Sequence, residues 1–229
     1  KRVLICLLIT IFSLSLIGCG KDKDPESGQI TPGKTITIGV MPDVESVPFI
    51  IAEKNGYFEN EGVQVKIEHF SSAKDRDSAL QGGKLDGVIT DVIAVVFANE
   101  GGIKLRIVAK NEGNVELLAG KDSGINELKD VKGKKVGMST NTIMEYTTDK
   151  MLEAAQIKPG EINKVAIPPL PTRLEMLQGG KIDVAILPEP LAGLAVKNGA
   201  RALISTDEMD NKAGAIAFTA QSLHENSEE

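Results

Sequence analysis

Apolar and polar residues follow one another along the chain with two different periods, and these periods predict strands and helices in turn. In the first half, the short alternating or β-branched runs typical of strands are TITIGVM, VQVKIEHF, DGVIT and KLRIVA. Residues 46–56 and 91–102 and the segment DRDSALQGG are predicted to be helices that end at glycines. Strands that alternate with helices predict a parallel sheet with right-handed crossovers, and therefore an α/β fold.

The second half of the chain has the same order of elements. Its predicted strands are KKVGMS, NKVAIP, DVAIL and ALIS, and its predicted helices are residues 142–156 and the segments PTRLEMLQGG and PLAGLAVKNG. Because both halves have the same order of strands and helices, we predict two similar Rossmann-like lobes with mainly parallel sheets, joined by a hinge.

A repeat in the sequence supports this duplication. LQGGKLDGVITD returns as LQGGKIDVAILP 97 residues later. Eight of fourteen positions are identical between the segments that start at Arg76 and Arg173, and the same offset pairs Met41 with Met138. The offset is therefore kept over a whole supersecondary unit. We expect residues 35–110 and 136–206 to superpose.

The repeated residues themselves are interpreted as architectural. Gly82 and Gly179 are expected at equivalent helix ends, where the first glycine of each pair can adopt the left-handed conformation. Asp86 and Asp183 are expected in the turn before a buried strand. What the repeat implies for function is a cleft between the two copies.

The N-terminus has the pattern of an export signal. Lys1 and Arg2 precede an apolar run that ends in Leu-Ile-Gly-Cys19, which resembles the bacterial lipobox. We expect residues 1–18 to be a signal peptide, Cys19 to be lipidated, and residues 19–33 to form a flexible tether. An ordinary signal peptide and an uncleaved anchor helix are the alternatives.

Composition narrows the classes of function. The chain has 26 Lys and Arg against 32 Asp and Glu, without a basic patch, which argues against a nucleic-acid partner. Its two histidines, His69 and His224, have no cysteine or carboxylate at metal-ligand spacing, so no metal site is expected. The sequence has no GxxxxGK[ST], GxGxxG or GxSxG motif, and no cofactor is expected.

Several segments, in this order, resemble the solute-binding proteins of ABC importers in the nitrate, sulfonate, taurine and thiamine-precursor (NMT1-like) family. The segments are GVMPDVESVPFIIAEKNGYFENEGVQVKIEHF with Ala52, Gly56, Tyr57, Phe58 and Gly62 at the family's pattern positions, LQGGKLDGVITD, NELKDVKGKKVGMST and PEP at 188–190. The resemblance covers roughly Thr35 to Ala220. It implies the type II periplasmic-binding-protein fold.

The resemblance also implies an organisation and partners. We expect lobe 1 at 34–112, lobe 2 at 113–214 and a return segment at 215–229, with hinge crossings near 111–120 and 214–219. Family members usually continue further, so the C-terminal part is expected to be missing. The implied protein is a monomer, lipid-anchored on the outer face of the cell membrane, that delivers a small-molecule solute to an ABC permease.

Ligands of open α/β sheets bind beyond the carboxyl ends of the strands, and the loops there supply the candidate site. The candidates are Asp43, Ser46, Ser71, Ser72, Thr90, Asp91, Ser139, Thr140, Asn141, Thr142 and Glu189. Ser139 to Thr142 is the strongest segment because free helix-start amides attract an oxygen, although a Thr142–Glu145 capping box competes for them. Asp43, Asp91 and Glu189 are equally explained as helix-start acids.

The charges expected in the cleft are three carboxylates and one evident cation, Lys74. They disfavour a small inorganic anion and favour a neutral or amine-bearing organic ligand. The expected solute is a small organic one, sulfonate-like or pyrimidine-like. A binding protein without catalysis is therefore the main hypothesis. The alternatives are an enzyme of the same fold acting on a pyrimidine or menaquinone precursor, and a surface adhesin that uses the fold as a scaffold.

Overall fold

The computed structural model describes residues 34–209 and 212–226. The predicted signal peptide, the tether and the lipidation site at Cys19 lie outside the described residues. The first elements along the chain are β1 (Ile36–Val40), α1 (Val47–Lys54), α2 (Tyr57–Asn60), β2 (Val65–His69), α3 (Ala73–Gln81), β3 (Gly87–Asp91), α4 (Val92–Glu100) and β4 (Leu105–Lys110).

The second set of elements follows the same order after one extra strand. Its members are β5 (Val115–Ala119), β6 (Lys135–Met138), α5 (Ile143–Ala154), β7 (Asn163–Ala166), α6 (Leu170–Gln178), β8 (Val184–Pro188), α7 (Leu191–Lys197) and β9 (Arg201–Ser205). The strand β10 (Gly214–Thr219) and the helix α8 (Ala220–Glu225) come last. No helix within the described ranges is both long and apolar enough to cross a membrane.

The strands form two five-stranded sheets of matching topology. The sheet of lobe 1 has the order β2-β1-β3-β10-β4, and that of lobe 2 has the order β7-β6-β8-β5-β9. Each sheet is mainly parallel, with a single antiparallel strand, β10 or β5, and of these two β10 alone comes from the other half of the chain. The predicted α/β fold with two similar lobes is confirmed.

The antiparallel strands β5 and β10 were not predicted, and both segments were assigned only to hinge crossings. Each is short and pairs on both sides, so its apolar residues do not give the alternation of a half-exposed strand. Their registers are equivalent, since Ile216 pairs with Ile89 in lobe 1 and Leu117 pairs with Ile186 in lobe 2.

The repeated LQGGK segment has the same architectural role in both lobes. Gly82 and Gly179 follow the last residues of α3 and α6, as predicted. The expectation of a left-handed first glycine is wrong, because the second glycine of each pair has φ of +67° (Gly83) or +63° (Gly180). Any other residue would be strained at this φ, so the second position of each pair favours glycine.

The repeated aspartates also act within their own lobes. Asp86 Oδ2 accepts a hydrogen bond of 2.8 Å from the backbone N–H of Thr37, and Asp183 Oδ2 accepts one of 2.8 Å from that of Lys135. These bonds join the turn before the central strand of each sheet to the neighbouring strand. The structure therefore supports the architectural interpretation of the repeat.

Candidate functional site

A cleft of about 790 Å³, including its open mouth, lies between the carboxyl ends of the strands of the two lobes. Lobe 1 contributes the loop after β1, the first turn of α3 and the end of β3, while lobe 2 contributes the loop after β6, the first turns of α5 and the start of α6. The lobes touch at its edge, where the backbone N–H of Leu170 donates a 2.9 Å hydrogen bond to the carbonyl of Ser71.

Five of the predicted site residues line this cleft together: Asp43, Thr90, Asp91, Ser139 and Thr142. Asn141 lines a neighbouring cavity instead. The remaining five predictions, all within the described ranges, do not line the cleft; they are Ser46, Ser71, Ser72, Thr140 and Glu189. The five residues that line the cleft are close enough together to form one candidate site. Their contact with a solute stays a prediction.

Asp43 caps the short 3₁₀ turn Val44–Ser46 that precedes α1, Asp91 caps α4, and both line the cleft. Asp43 Oδ1 accepts hydrogen bonds from the N–H of Ser46 at 3.1 Å and from its hydroxyl at 2.6 Å. Asp91 Oδ1 accepts one of 2.9 Å from the N–H of Ala94. Burial raises the pKa of both carboxyls, and the nearby Arg76 opposes that rise. Each aspartate thus uses one carboxylate oxygen, Oδ1, to accept hydrogen bonds from the turn or helix that follows it.

The segment Ser139–Thr142 is held by its own side chains. Thr142 Oγ1 accepts a 3.2 Å hydrogen bond from the N–H of Met144 and donates one of 2.8 Å to the carbonyl of Ser139. Glu145 Oε2 accepts a 2.7 Å bond from the N–H of Asn141, whose φ is +57°. The expected competition from Glu145 therefore exists, because it already holds one of the amides offered to a solute.

The predicted residues outside the cleft have structural partners. Ser72 accepts a 3.1 Å hydrogen bond from the N–H of Asp75 at the start of α3. The hydroxyl of Ser46 is engaged with Asp43, and Glu189 accepts a 3.1 Å bond from the N–H of Gly193 near the start of α7. These contacts give the three residues roles in helix starts.

Arg76 is the cleft residue that sequence reasoning missed. It is 4% exposed and lines the cleft, whereas the predicted cation Lys74 is exposed and lies outside it. Its Nη1 donates to the carbonyl of Ile89 at 2.8 Å, and its Nε donates to Asp77 Oδ1 at 2.8 Å. Nη2 also lies 2.8 Å from that oxygen, which is an ion-pair distance. Its N–H bonds, however, do not point at this oxygen or at any other acceptor among the described residues.

Arg173 occupies the equivalent position of lobe 2 and is fully buried. Its Nη1 donates to the carbonyl of Ile186 at 2.8 Å, and its Nε and Nη2 donate to that of Ile167 at 3.0 and 2.8 Å. Nη2 also contacts the hydroxyl of Ser139. Burial lowers the pKa of Arg173 to about 10. Every donor group of this guanidinium is thus used inside the lobe.

The repeat itself carries the signal that could have identified Arg76. The 97-residue offset pairs Arg76 with Arg173, and it pairs Pro42 with Ser139. Proline has no hydroxyl to accept from the guanidinium, so the partner that Arg173 has in Ser139 is lost in lobe 1.

Glu45 is a second cleft residue that the sequence analysis did not select. Its carboxylate packs against Gly113, where an added Cβ would lie 1.6 Å from Glu45 Oε1. Its Oε2 is buried and has no hydrogen-bond partner among the described residues. Burial, with the charge of Asp43 as the second cause, raises its pKa to about 7. A side chain at position 113 would therefore force this buried carboxyl to move.

A second cavity of about 580 Å³ adjoins the cleft between α3 and α4. Five residues line both spaces: Ala73, Arg76, Thr90, Asp91 and Thr142. The outer part of this α3–α4 groove is lined by apolar side chains, among them Leu80, Val88, Phe97 and Leu105. The cleft therefore continues into an apolar groove of lobe 1.

A family model described as NMT1/THI5 like matches residues 43–210 of the chain. A Bacillus subtilis (strain 168) protein, provisionally named as an aliphatic sulfonates-binding protein, is 26% identical over 218 residues, which make up 92% of this chain and 64% of that protein. The chain therefore spans slightly less than two thirds of this relative's length.

Solved structures and a further relative complete the comparison. The periplasmic aliphatic sulphonate binding protein SsuA from Escherichia coli superposes with a TM-score of 0.69 at 19% identity, over 85% of this chain and 68% of that chain. This likeness shows the fold. The 4-amino-5-hydroxymethyl-2-methylpyrimidine phosphate synthase of Schizosaccharomyces pombe is 31% identical over 93 residues, which are 40% of this chain and 27% of that enzyme.

Proposed function

The chain belongs to the NMT1/THI5-like family, and on that premise we propose that it is the solute-binding component of an ABC importer. It holds a small organic solute, sulfonate-like or pyrimidine-like, in the cleft between its lobes. The observation that carries this proposal is the cleft itself, where polar side chains from equivalent strand ends of both lobes converge.

The two chain crossings support a binding mechanism based on lobe closure. The chain passes from β4 to β5 and from β9 to β10, and each crossing strand is fixed in the sheet of the lobe it enters. Rotation at residues 111–114 and at residues 212–213 would open the cleft without breaking either sheet. Both segments lie beside the cleft, since Gly113 and Ala213 line it.

The proposed location is the outer face of the cell membrane, with Cys19 as the lipidated residue and the permease as the membrane partner. This proposal rests on the sequence of residues 1–19. Cys19→Ser should move the full-length protein from the membrane fraction to the soluble fraction. Retention of the variant on membranes after detergent-free washing would contradict lipid anchoring.

An enzyme acting on a pyrimidine precursor is the second candidate, because the match to the Schizosaccharomyces pombe synthase favours it. Such chemistry needs a positioned acid or base in the cleft. Neither described histidine lines the cleft, and both are exposed. The cleft carboxyls Asp43 and Asp91 are engaged at helix starts. Glu45 is then the acid through which an enzyme would act, since its Oε2 has no partner among the described residues and its pKa is raised to about 7. The next experiment separates the two candidates.

The deciding experiment is to incubate the purified protein with a metabolite extract and to identify what stays bound. A binding protein should retain a solute in stoichiometric amount and release it chemically unchanged on denaturation. Release of an altered compound, or consumption of a pyrimidine precursor over time, would favour the enzyme. Failure to retain any compound from extracts of several growth conditions would contradict the proposed function.

A further inference from the structure

The carboxyl of Glu45 has an acceptor atom that no residue within 34–209 and 212–226 uses. Its Oε2 is buried and receives no hydrogen bond from these residues, while its Oε1 fills the space that a side chain at Gly113 would need. An ionised carboxyl that is buried without a donor or a cation destabilises the folded protein. Because Glu45 lines the cleft, a donor group that enters the cleft would satisfy it.

Two further carboxyls, those of Asp43 and Asp91, line the same cleft. Each uses Oδ1 to accept hydrogen bonds from the turn or helix that follows it. These bonds leave Oδ2 of each aspartate as an acceptor for a ligand. Together with Glu45, the two aspartates make the cleft rich in acceptors that carry negative charge.

The hydroxyl of Thr90 is an unpartnered group of a different kind at the same wall. Thr90 lies at the end of β3, is 9% exposed and lines the cleft. Its Oγ1 is buried and has no partner within the described part of the chain. Leaving a buried hydroxyl unpaired costs free energy, and this cost does not depend on the charges of the cleft. Thr90 therefore indicates a ligand independently of the carboxyls.

The positive charges beside these carboxyls are engaged with other acids. Arg76 is the one side-chain cation among the described residues that line the cleft, and its Nη2 lies 2.8 Å from Oδ1 of Asp77. Lys212 forms an ion pair with Asp207. Burial raises the pKa of all three cleft carboxyls, as expected where desolvation exceeds the compensation by cations. The cleft thus lacks a positive charge that a solute can bring.

Resting on the proposed function, we propose that the solute carries a protonated nitrogen, which donates a hydrogen bond to Glu45. Thr90 accepts a hydrogen bond from the same solute, and the charges of Asp43 and Asp91 attract the nitrogen at longer range. The apolar part of the solute contacts the apolar residues that line the cleft, which are Met41, Ile89, Ile143, Met144 and Leu170. This requirement narrows the proposed solutes to organic ammonium compounds, since a plain alkyl sulfonate has no protonated nitrogen.

The charge of the solute is tested by titration calorimetry at pH 8 with hexan-1-amine, hexan-1-ol and 1-hexanesulfonate, which share one alkyl chain. The amine should bind about tenfold or more tightly than either of the others, because it alone brings a positive charge to the carboxyls. Equal or tighter binding of the sulfonate, or no measurable binding of the amine, would overturn the proposal.

The contact with Glu45 is tested by Glu45→Gln, which keeps the shape of the side chain and removes its charge. This variant should bind hexan-1-amine about tenfold or more weakly, while Glu112→Gln, at an exposed acid of the same crossing, should bind like wild type. Thr90→Val should weaken binding several-fold because a methyl group replaces the acceptor. Unchanged affinity in Glu45→Gln would overturn the assignment of Glu45, and unchanged affinity in Thr90→Val that of Thr90.

The pH dependence of binding separates a direct contact from a merely structural role of Glu45. A bound cation favours the ionised carboxyl and lowers its pKa from about 7, so the affinity for hexan-1-amine should rise between pH 6 and pH 8. The charged groups that act on Glu45 are Asp43 and Lys212, and Lys212 stays protonated over this interval, as does the amine. Glu45→Gln should remove most of the rise. A rise of equal size in this variant would assign the titration to another group and contradict the contact.

The solute retained from a metabolite extract separates this inference from the proposed function. Circular dichroism confirms first that each variant is folded. A natural solute that has no protonated nitrogen, or that wild type and Glu45→Gln retain with equal affinity, would refute the inference and leave the binding function standing. A wild-type protein that retains no solute at all would refute the binding function itself.

Discussion

Arg76 and Arg173 occupy equivalent positions of a duplicated unit, but of the two only Arg76 lines the cleft between the lobes. Both donate through Nη1 to the carbonyl of an isoleucine 13 residues later, so the duplication preserved this bond. In lobe 2 the remaining donors are used within the lobe, whereas in lobe 1 Nη2 lies 2.8 Å from Asp77 Oδ1 without an aligned N–H bond to an acceptor in the described ranges. The two copies thus share one hydrogen bond of the guanidinium and differ in the others.

The interiors of the two lobes also differ, in how completely their large side chains are buried. Of the twelve largest fully buried side chains among the described residues, all but Val40 belong to lobe 2. Lobe 1 exposes large apolar side chains on α4 and β4, among them Val96, Phe97, Ile107 and Val108. Lobe 2 is therefore the more completely packed copy, and substitutions in its interior should cost more free energy of unfolding.

The largest expected effect is on stability, from methionine at the two arginine positions. Arg173→Met should lower the free energy of unfolding by about 2–4 kcal/mol because several buried carbonyls lose their donor. Arg76→Met should lower it by about 1 kcal/mol or less, since one well-buried bond is lost. Urea unfolding followed by circular dichroism measures both. An equal loss of unfolding free energy in the two variants would contradict the different roles assigned to the two arginines.

The next effect concerns Glu45, whose counterpart under the 97-residue offset is the neutral Thr142. Its pKa is raised from 4.5 to about 7. Below pH 4.5 the group is protonated in the folded and unfolded states alike. Between pH 4.5 and 7 the unfolded chain releases this proton first, so rising pH lowers the stability, and the loss is complete above pH 7.

Glu45→Gln should therefore stabilise the empty protein by about 1–3 kcal/mol at pH 8 and leave it unchanged at pH 4. Denaturant unfolding at the two pH values is the measurement. Glu112→Gln, at an exposed acid near the same crossing, is the control and should show no such pH dependence. A gain of equal size at both pH values would contradict the raised pKa.

A smaller effect is expected when lobe 1 is given the hydroxyl that lobe 2 has. Pro42→Ser places a serine at the position of Ser139, where it can accept from Arg76 Nη2. Pro42→Ser should be more stable than Pro42→Ala by about 1 kcal/mol, because only serine offers Arg76 this acceptor. Urea unfolding measures the difference. Equal stability of the two variants would mean that Nη2 does not use the added hydroxyl.

The smallest effect concerns the backbone of Asn141, which has φ of +57°. Asn141→Gly should keep the stability within a few tenths of a kcal/mol, and Asn141→Ala should cost about 0.5–1 kcal/mol because alanine tolerates this conformation less well. Thermal unfolding of both variants is sufficient. The equivalent residue of lobe 1, Val44, offers a control in Val44→Ala. A larger loss of stability in Asn141→Gly than in Asn141→Ala would contradict this explanation from the backbone conformation.

The sequence predicted the lobes because its periodicity and its repeat are local signals. It did not predict β5 and β10 as strands, since both pair with strands that are distant in sequence and pairing on both sides weakens the alternation of apolar and polar residues. Among site residues, Asp43 and Asp91 were found from their places after strands. Arg76 lies inside a helix, and only its neighbours in three dimensions show that its Nη2 lacks an acceptor.

The insertion of β10 into the sheet of lobe 1 also has a consequence for assembly during synthesis. The five strands of lobe 2 all lie between residues 115 and 205, so a ribosome delivers that sheet before β10 is made. In lobe 1, β3 and β4 have no strand between them until Gly214–Thr219 emerges, and their edges stay open to wrong partners. The lobe that is translated first is thus completed last, against the usual N-terminal-first order of domain folding.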